Sequence, residues 1–434
     1  MQLSEEQILA LAPDDASKKA GRDLATPAKW ITIGANGLAL WGECQGSGSK
    51  PYQTQVDLAV VAFKCSCPSR KFPCKHGLGL LLLLSRQPAL FKEAKMPDWV
   101  NDWISKRTEK EEKKVEKTEK PVDEAAQAKR QQAREQKVNA GVQELLVWIK
   151  DIVRNGILSM PEKGAAYWDN MARRMVDSQA AGLAAMIKKL GATAFWNEGW
   201  QSSFMDQLLH LYLVAGSYPH ISSINQLLQQ DILAAIGFTV NQDELKLQDG
   251  VKDTWLVLGK ETREEQQLSI EQNWLYGTQT NKYALILQFY AGGQSGQLSL
   301  SPGMSFNAEL VYFPSSVPYR AIVKDQAGVS GVGSNTQHFS DWKQVAGHEA
   351  ELNSRLPFRN EMPVIVEQLK PLQYQQQWWL QDREGYLCKI SAEFKQIWKL
   401  LAIGGGEALT MAVIGKENSY KPLGIWYQNI YKTI

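Results

Sequence analysis

The chain changes its hydrophobic period several times. Residues Ser4 to Leu11 alternate apolar and acidic positions as a short helix does, and a second helical piece covers Ala16 to Leu24. Trp30 to Ile33 and Leu38 to Trp41 then read as the arms of a β-hairpin around an Asn36-Gly37 turn, in which positive φ angles are expected. Further strands are predicted from Tyr52 to Leu58 and from Val60 to Lys64. They are followed by a buried helix through Leu80 to Leu84 and a short closing helix from Met96 to Ile104. Helical periodicity returns at Val138, with the stripe Leu145, Trp148, Ile149, Ile152 and Val153, and continues in successive helices to Ile236. Beyond Gly237 the period falls towards two. Strands are predicted at Thr254–Leu258, Lys282–Tyr290, Gln297–Leu300, Phe306–Phe313 and Tyr319–Val323, and again from Val364 to the end with helices between them.

These patterns predict an α+β multidomain chain: a mixed α/β N-terminal domain (1–104), a helical domain (138–240) and a β-rich C-terminal domain (250–434). Between the first two, residues 105–137 mix Lys, Arg and Glu with almost no large apolar side chains. That stretch is expected to be a solvated linker, helical at most in part. With 434 residues, each domain is long enough to bury its own core.

Composition narrows the function classes. A formal charge of +2 makes the whole chain no polyanion binder, so any nucleic-acid site must be local. The N-terminus begins acidic and lacks a long apolar core, which predicts no secretory signal. No run approaches the roughly 20 apolar residues needed to span a bilayer. A cytoplasmic protein with no membrane partner is the expectation, its cysteines held as thiols.

The chemistry concentrates in FKCSCPSRKFPCKHGLGLLLLL. Cys65 and Cys67 have one residue between them, and after six intervening residues Cys74 and His76 repeat that spacing. Three thiolates and an imidazole are a complete tetrahedral set for one structural zinc ion, taken from a turn and from a helix start. A filled set leaves no position for an activated water, which argues against hydrolytic metal chemistry. Around it stand six basic residues, Lys64, Arg70, Lys71, Lys75, Arg86 and Lys92, with no acidic residue between Asp57 and Glu93. They are the candidate contact surface for a phosphate backbone or an acidic protein. Cys44 and Cys388 are expected to be buried core thiols.

The order C-x-C, spacer, C-x-H, with Phe63 before the first cysteine and Pro68 after the second, resembles the SWIM zinc finger, here over about 52–92. Together with WGECQGSGSKPY and MVDSQAAGLAAMIKKLG, it makes the chain similar to bacterial SWIM zinc finger proteins. The resemblance implies a zinc module used for contacts with DNA or protein, and no known reaction. It also implies association with MoxR-type AAA+ ATPases and von Willebrand factor A-like proteins. No catalytic constellation emerges elsewhere: there is no Gly-x-Ser-x-Gly, no HExxH and no P-loop ending after the Gly-Ser run before Lys50. The expected function is therefore a non-enzymatic, zinc-binding interaction protein, with DNA binding through the basic finger surface as the alternative. An enzyme with its site in the C-terminal domain comes third.

Overall fold

The computed structural model describes residues 3–46, 50–69, 71–92, 94–116, 124–265, 268–291, 299–330, 336–416 and 419–434. Its N-terminal unit begins with α1 (Glu5–Ala10) and α2 (Asp15–Leu24). Ser4 and Gln7 form a reciprocal capping box on α1, which satisfies two donors that the first turn would otherwise leave open. Four antiparallel strands follow in the order β1 (Trp30–Ala35), β2 (Ala39–Cys44), β3 (Tyr52–Asp57) and β4 (Ala62–Cys65). The β1–β2 turn closes differently from expectation. Asn36 Oδ1 accepts from the amides of Leu38 and Ala39, and neither Asn36 nor Gly37 takes a positive φ.

Helix α3 (Lys75–Arg86) lies across this sheet with every residue from His76 to Leu83 buried. Its glycines explain the fit. A Cβ on Gly79 would stand 2.6 Å from Leu24 Cβ, and one on Gly77 would stand 2.7 Å from the Phe63 ring, so α2 and β4 approach the α3 backbone directly.

Helix α4 (Asp98–Glu116) runs past Ile104 into the charged stretch, and α5 (Glu124–Asn155) begins inside it. The stretch is thus helical at both ends. The start of α4 is held by contact as well as by propensity, because Val100 is buried against Ala39 and Trp41, and Arg107 lies 3.5 Å from Asp57. Helix α5 then joins α6 (Ala165–Asp177), α7 (Ala181–Gly191), α8 (Trp200–Ser217) and α9 (Gln226–Ile236) in a bundle. Its core holds Leu145, Ile149, Met175, Leu183, Ile187, Phe204 and Leu211. The short α10 (Gln242–Lys246) leads out of it.

The β-rich region has two parts. Strands β5 (Val251–Glu265), β6 (Leu268–Gly277), β7 (Tyr283–Ala291), β8 (Ser305–Tyr312) and β9 (Arg320–Ser330) close into a barrel in the order β5-β6-β7-β9-β8. Only β7 and β9 pair in parallel, which makes this the Greek-key arrangement of an OB-type barrel. A bulge between Val257 and Gly259 lets β5 curve, so that it pairs with β8 at one end and β6 at the other. After α11 (Trp342–Arg355), a second sheet is built from β10 (Pro363–Tyr374), β11 (Gln377–Gln381), β12 (Leu387–Ile390), β13 (Leu409–Lys416), β14 (Ser419–Tyr427) and β15 (Ile430–Thr433). It runs in the order β12-β11-β10-β13-β14-β15, and α12 (Ile397–Gly404) packs on it through Leu400.

Strand β6 has no counterpart among the predicted strands. Two of its interior-facing residues are polar: Glu271 and Asn273 are buried, with Glu271 bound by Lys260 at 2.6 Å and by Asn273 Nδ2 at 3.0 Å. A strand with a charged and an amide residue on its core side does not alternate in the way a period-two search requires.

The units are joined tightly. Ile8, Leu9 and Leu11 share one apolar cluster with the barrel residues Trp255, Leu275 and Phe306. Gln7 donates to Gly303 O, and Ser301 Oγ donates to Gln7 O at 2.8 Å. On the other side, Asp231 of α9 accepts from Ser315 Oγ at 2.5 Å and from the Ser316 amide at 2.8 Å, both in the β8–β9 connection.

Candidate metal centre

The four predicted ligands come from two elements. Register pairs Cys65, the last residue of β4, with Thr54 of β3, and Cys67 follows just beyond the strand end. Cys74 is the N-cap residue of α3, and His76 lies in its first turn. Pro68 and Pro73 lie in the non-regular loop that connects the two pairs. The fold therefore delivers one pair on a hairpin end and the other on a helix start.

The donor atoms converge. All four lie within 4.8 Å of one another, with His76 Nδ1 at 3.8 Å from Cys65 Sγ and 3.9 Å from Cys74 Sγ. Zinc bonds of about 2.3 Å to sulfur and about 2.0 Å to nitrogen at tetrahedral angles require donor separations of roughly 3.5–3.8 Å. The residues present fit one zinc ion, with small adjustments of the side chains.

The surroundings suit a closed structural site. His76 is 5% exposed, and its ring stacks at a tilt on Tyr52 at 5.1 Å. The fully buried Thr54 places its hydroxyl 3.2 Å from Cys65 Sγ, where it can support a thiolate. Neither Tyr52 nor Thr54 was singled out in the sequence; the signal was there in the strand register, which sets Thr54 opposite the first cysteine. The thiol of Cys65 hydrogen-bonds to Cys74, which pushes Cys65 up to about 12, burial adding to the effect, and holds Cys74 below its ordinary value. A metal is the natural partner of so crowded a set, because it replaces the shared protons with one divalent charge.

Residues 52–85 match the SWIM zinc finger family, and residues 133–236 match the SWIM-associated four-helix bundle domain. The chain carries a SWIM zinc finger. No curated protein and no solved structure matches the chain. Within the finger Cys65, Cys67, Cys74 and His76 are positioned to bind one zinc ion, which would tie the β3–β4 hairpin to α3. The other two thiols, Cys44 and Cys388, are buried, as is usual for free cysteines.

The structure divides the six cations around the SWIM finger. Lys64, Lys71 and Lys75 lie at the metal end, whereas Arg86 and Lys92 lie at the far end of α3, about 18 Å away along a helix of that length. Arg70 is outside the described residues. Two of the remaining five are bound internally: Lys71 sits 2.6 Å from Asp14, and Arg86 pairs with Glu5 through both its Nε and a terminal nitrogen. Lys64, Lys75 and Lys92 are exposed and make no ion pair with a described residue.

The barrel adds a second observation on nucleic-acid contact. OB-type barrels receive oligonucleotides on the outer face of their second and third strands, here β6 and β7. One end of that face is covered, while Phe289 at the other end is 51% exposed. Trp274, Tyr276 and Leu285 are buried against Ile365, Ala412, Ile414 and Leu423 of the second sheet, and Tyr431 donates to Leu258 O at 2.6 Å. Among the described residues, no helix is long and apolar enough to cross a membrane.

Proposed function

We propose that the protein is a non-enzymatic assembly scaffold in which the SWIM finger, stabilised by zinc, contacts a protein partner. The observation that carries this reading is the internal use of charge. Asp14 and Glu5, from the two N-terminal helices, take up two of the cations that a phosphate backbone would need. The covering of one end of the β6–β7 face supports the same reading, since it narrows the surface on which a barrel of this order would bind an oligonucleotide. A filled tetrahedral zinc site supports a structural rather than a reactive metal. MoxR-type AAA+ ATPases and von Willebrand factor A-like proteins are the first partners to try, on the strength of the resemblance.

The alternative is nucleic-acid binding through the basic finger surface, with Lys64 and Lys75 at the metal end. Affinity capture of the full chain from its own cell extract, with and without nuclease and across about 0.05–0.2 M salt, separates the two readings. Partner recovery that withstands nuclease and salt is the expected result. Recovery abolished by nuclease, or by neutralising Lys64 and Lys75 with a steep salt dependence, replaces the reading with the nucleic-acid one.

A further inference from the structure

The helical bundle has a groove of ≈ 750 Å³ where α5 meets the end of α9. One wall is a row of cations on a single face of α5: Arg130, Arg134 and Lys137. At about 1.5 Å per residue the row is about 10 Å long. The opposite wall is apolar and is formed by Leu233, Phe238 and Val240. Among the described residues no carboxylate lines the groove, and none of the three cations is paired with one. Glu135, next in sequence to Arg134, is outside the lining and accepts from Gln131 Nε2 at 3.1 Å.

Arg134 is fixed in place. Its guanidinium lies 4.1 Å above the Phe238 ring, and Nη2 donates to Gly237 O at 2.9 Å and to Gln179 O at 3.3 Å. Those bonds tie down the C-terminal end of α9 and the α6–α7 turn, and they leave the positive charge facing the groove without further ordering. Arg130 and Lys137 flank it, both exposed.

We infer that this groove binds an acidic, partly apolar segment of a partner protein, with its carboxylates on Arg130, Arg134 and Lys137 and its apolar residues on Phe238, Leu233 and Val240. A compact anion would engage one or two of the cations and leave the apolar wall wet. A row of charges with four-residue and three-residue spacing facing an apolar strip matches instead a segment whose own acids recur at helical spacing. The site is separate from the metal centre and does not rest on the finger being a protein contact.

The test uses the full-length zinc-loaded protein and a fluorescein-labelled helical peptide of about 16 residues, with glutamates at four-residue spacing and leucines beside them. Fluorescence anisotropy is expected to show binding that is lost when the glutamates are replaced by glutamines. The double variant R130E/K137E, both at exposed positions, should weaken binding by about tenfold or more with an unchanged circular dichroism spectrum. Equal affinity of the variant and the parent protein for the peptide overturns the inference. It is also overturned if a single-stranded oligothymidylate of equal charge binds more tightly than the peptide and loses that binding in R130E/K137E, because the groove would then serve nucleic acid.

Discussion

The Lys71 ammonium lies 2.6 Å from the Asp14 carboxylate, which ties the zinc loop to the start of α2. The hydrogen bond from Lys71, with further ones from Ser17, holds the Asp14 carboxyl down at about 2 against its ordinary 3.8. A depressed folded value means that the tie is complete above pH of about 4 and is lost as pH falls through about 2. An NMR titration of the Asp14 carboxyl should show a midpoint near 2, and Lys71→Ala should return it towards 3.8. A midpoint unmoved by the substitution would mean that the pair does not form in solution.

Removing one zinc ligand should cost the finger its metal. Structural zinc contributes on the order of 10 kcal/mol to the folding of finger peptides, and a set reduced to three donors holds it far less tightly. Cys67→Ser is expected to purify with well under one zinc per chain. Hydrogen exchange should rise in the β3–β4 hairpin and the first turn of α3, while the bundle, which has a separate core, keeps its protection. Zinc content equal to that of the parent protein would remove Cys67 from the ligand set.

The contact between α2 and α3 is expected to tolerate no methyl group at Gly79. A Cβ there would meet Leu24 Cβ at 2.6 Å and Gly21 O at 3.1 Å, neither of which is a flexible side-chain end. Gly79→Ala should gain up to about 1 kcal/mol of helix propensity and lose about 1–3 kcal/mol to overpacking, for a net destabilisation. Gly37→Ala, where a Cβ meets nothing within 4 Å, is the control. Urea denaturation should rank Gly79→Ala below both the control and the parent protein.

In the C-terminal region, Arg359 is 6% exposed in its side chain and pairs with Glu349, which is 13% exposed. Its remaining donors go to Asn353 Oδ1 at 3.0 Å and Asn360 O at 3.2 Å. Glu349→Ala would strand a buried guanidinium and should destabilise the β-rich region by about 3–5 kcal/mol. The double variant Glu349→Ala/Arg359→Met should recover much of that loss, since it removes the unpaired charge. Thermal or urea unfolding of the three proteins checks both statements, and equal stability of the single variant and the parent would contradict them.

The ease of reading this chain varied with the range over which each feature is set. Helices α5 to α9 were legible because each carries its own apolar stripe, and their short turns follow from local Gly and Asn signals. Strand β6 was not, because its buried Glu271 is satisfied by Lys260 on the neighbouring strand, a pairing that exists only once the barrel closes. The six cations looked like one surface because they are continuous in sequence without an intervening acid. Folding separated the five described ones by the length of α3 and supplied Asp14 and Glu5 from helices more than fifty residues away.

By itself the sequence determined the zinc site. Its four donors fall within twelve positions, so a hairpin end and a helix start are enough to bring them together, and coordination chemistry allows few other readings of that set. Only the tertiary structure decided which surfaces remain available to a partner. Burial of one end of the β6–β7 face under a second sheet, and the cation row of α5 set against Phe238, both join residues about eighty or more positions apart. Such juxtapositions are governed by packing across whole domains, on which local period and composition carry no information.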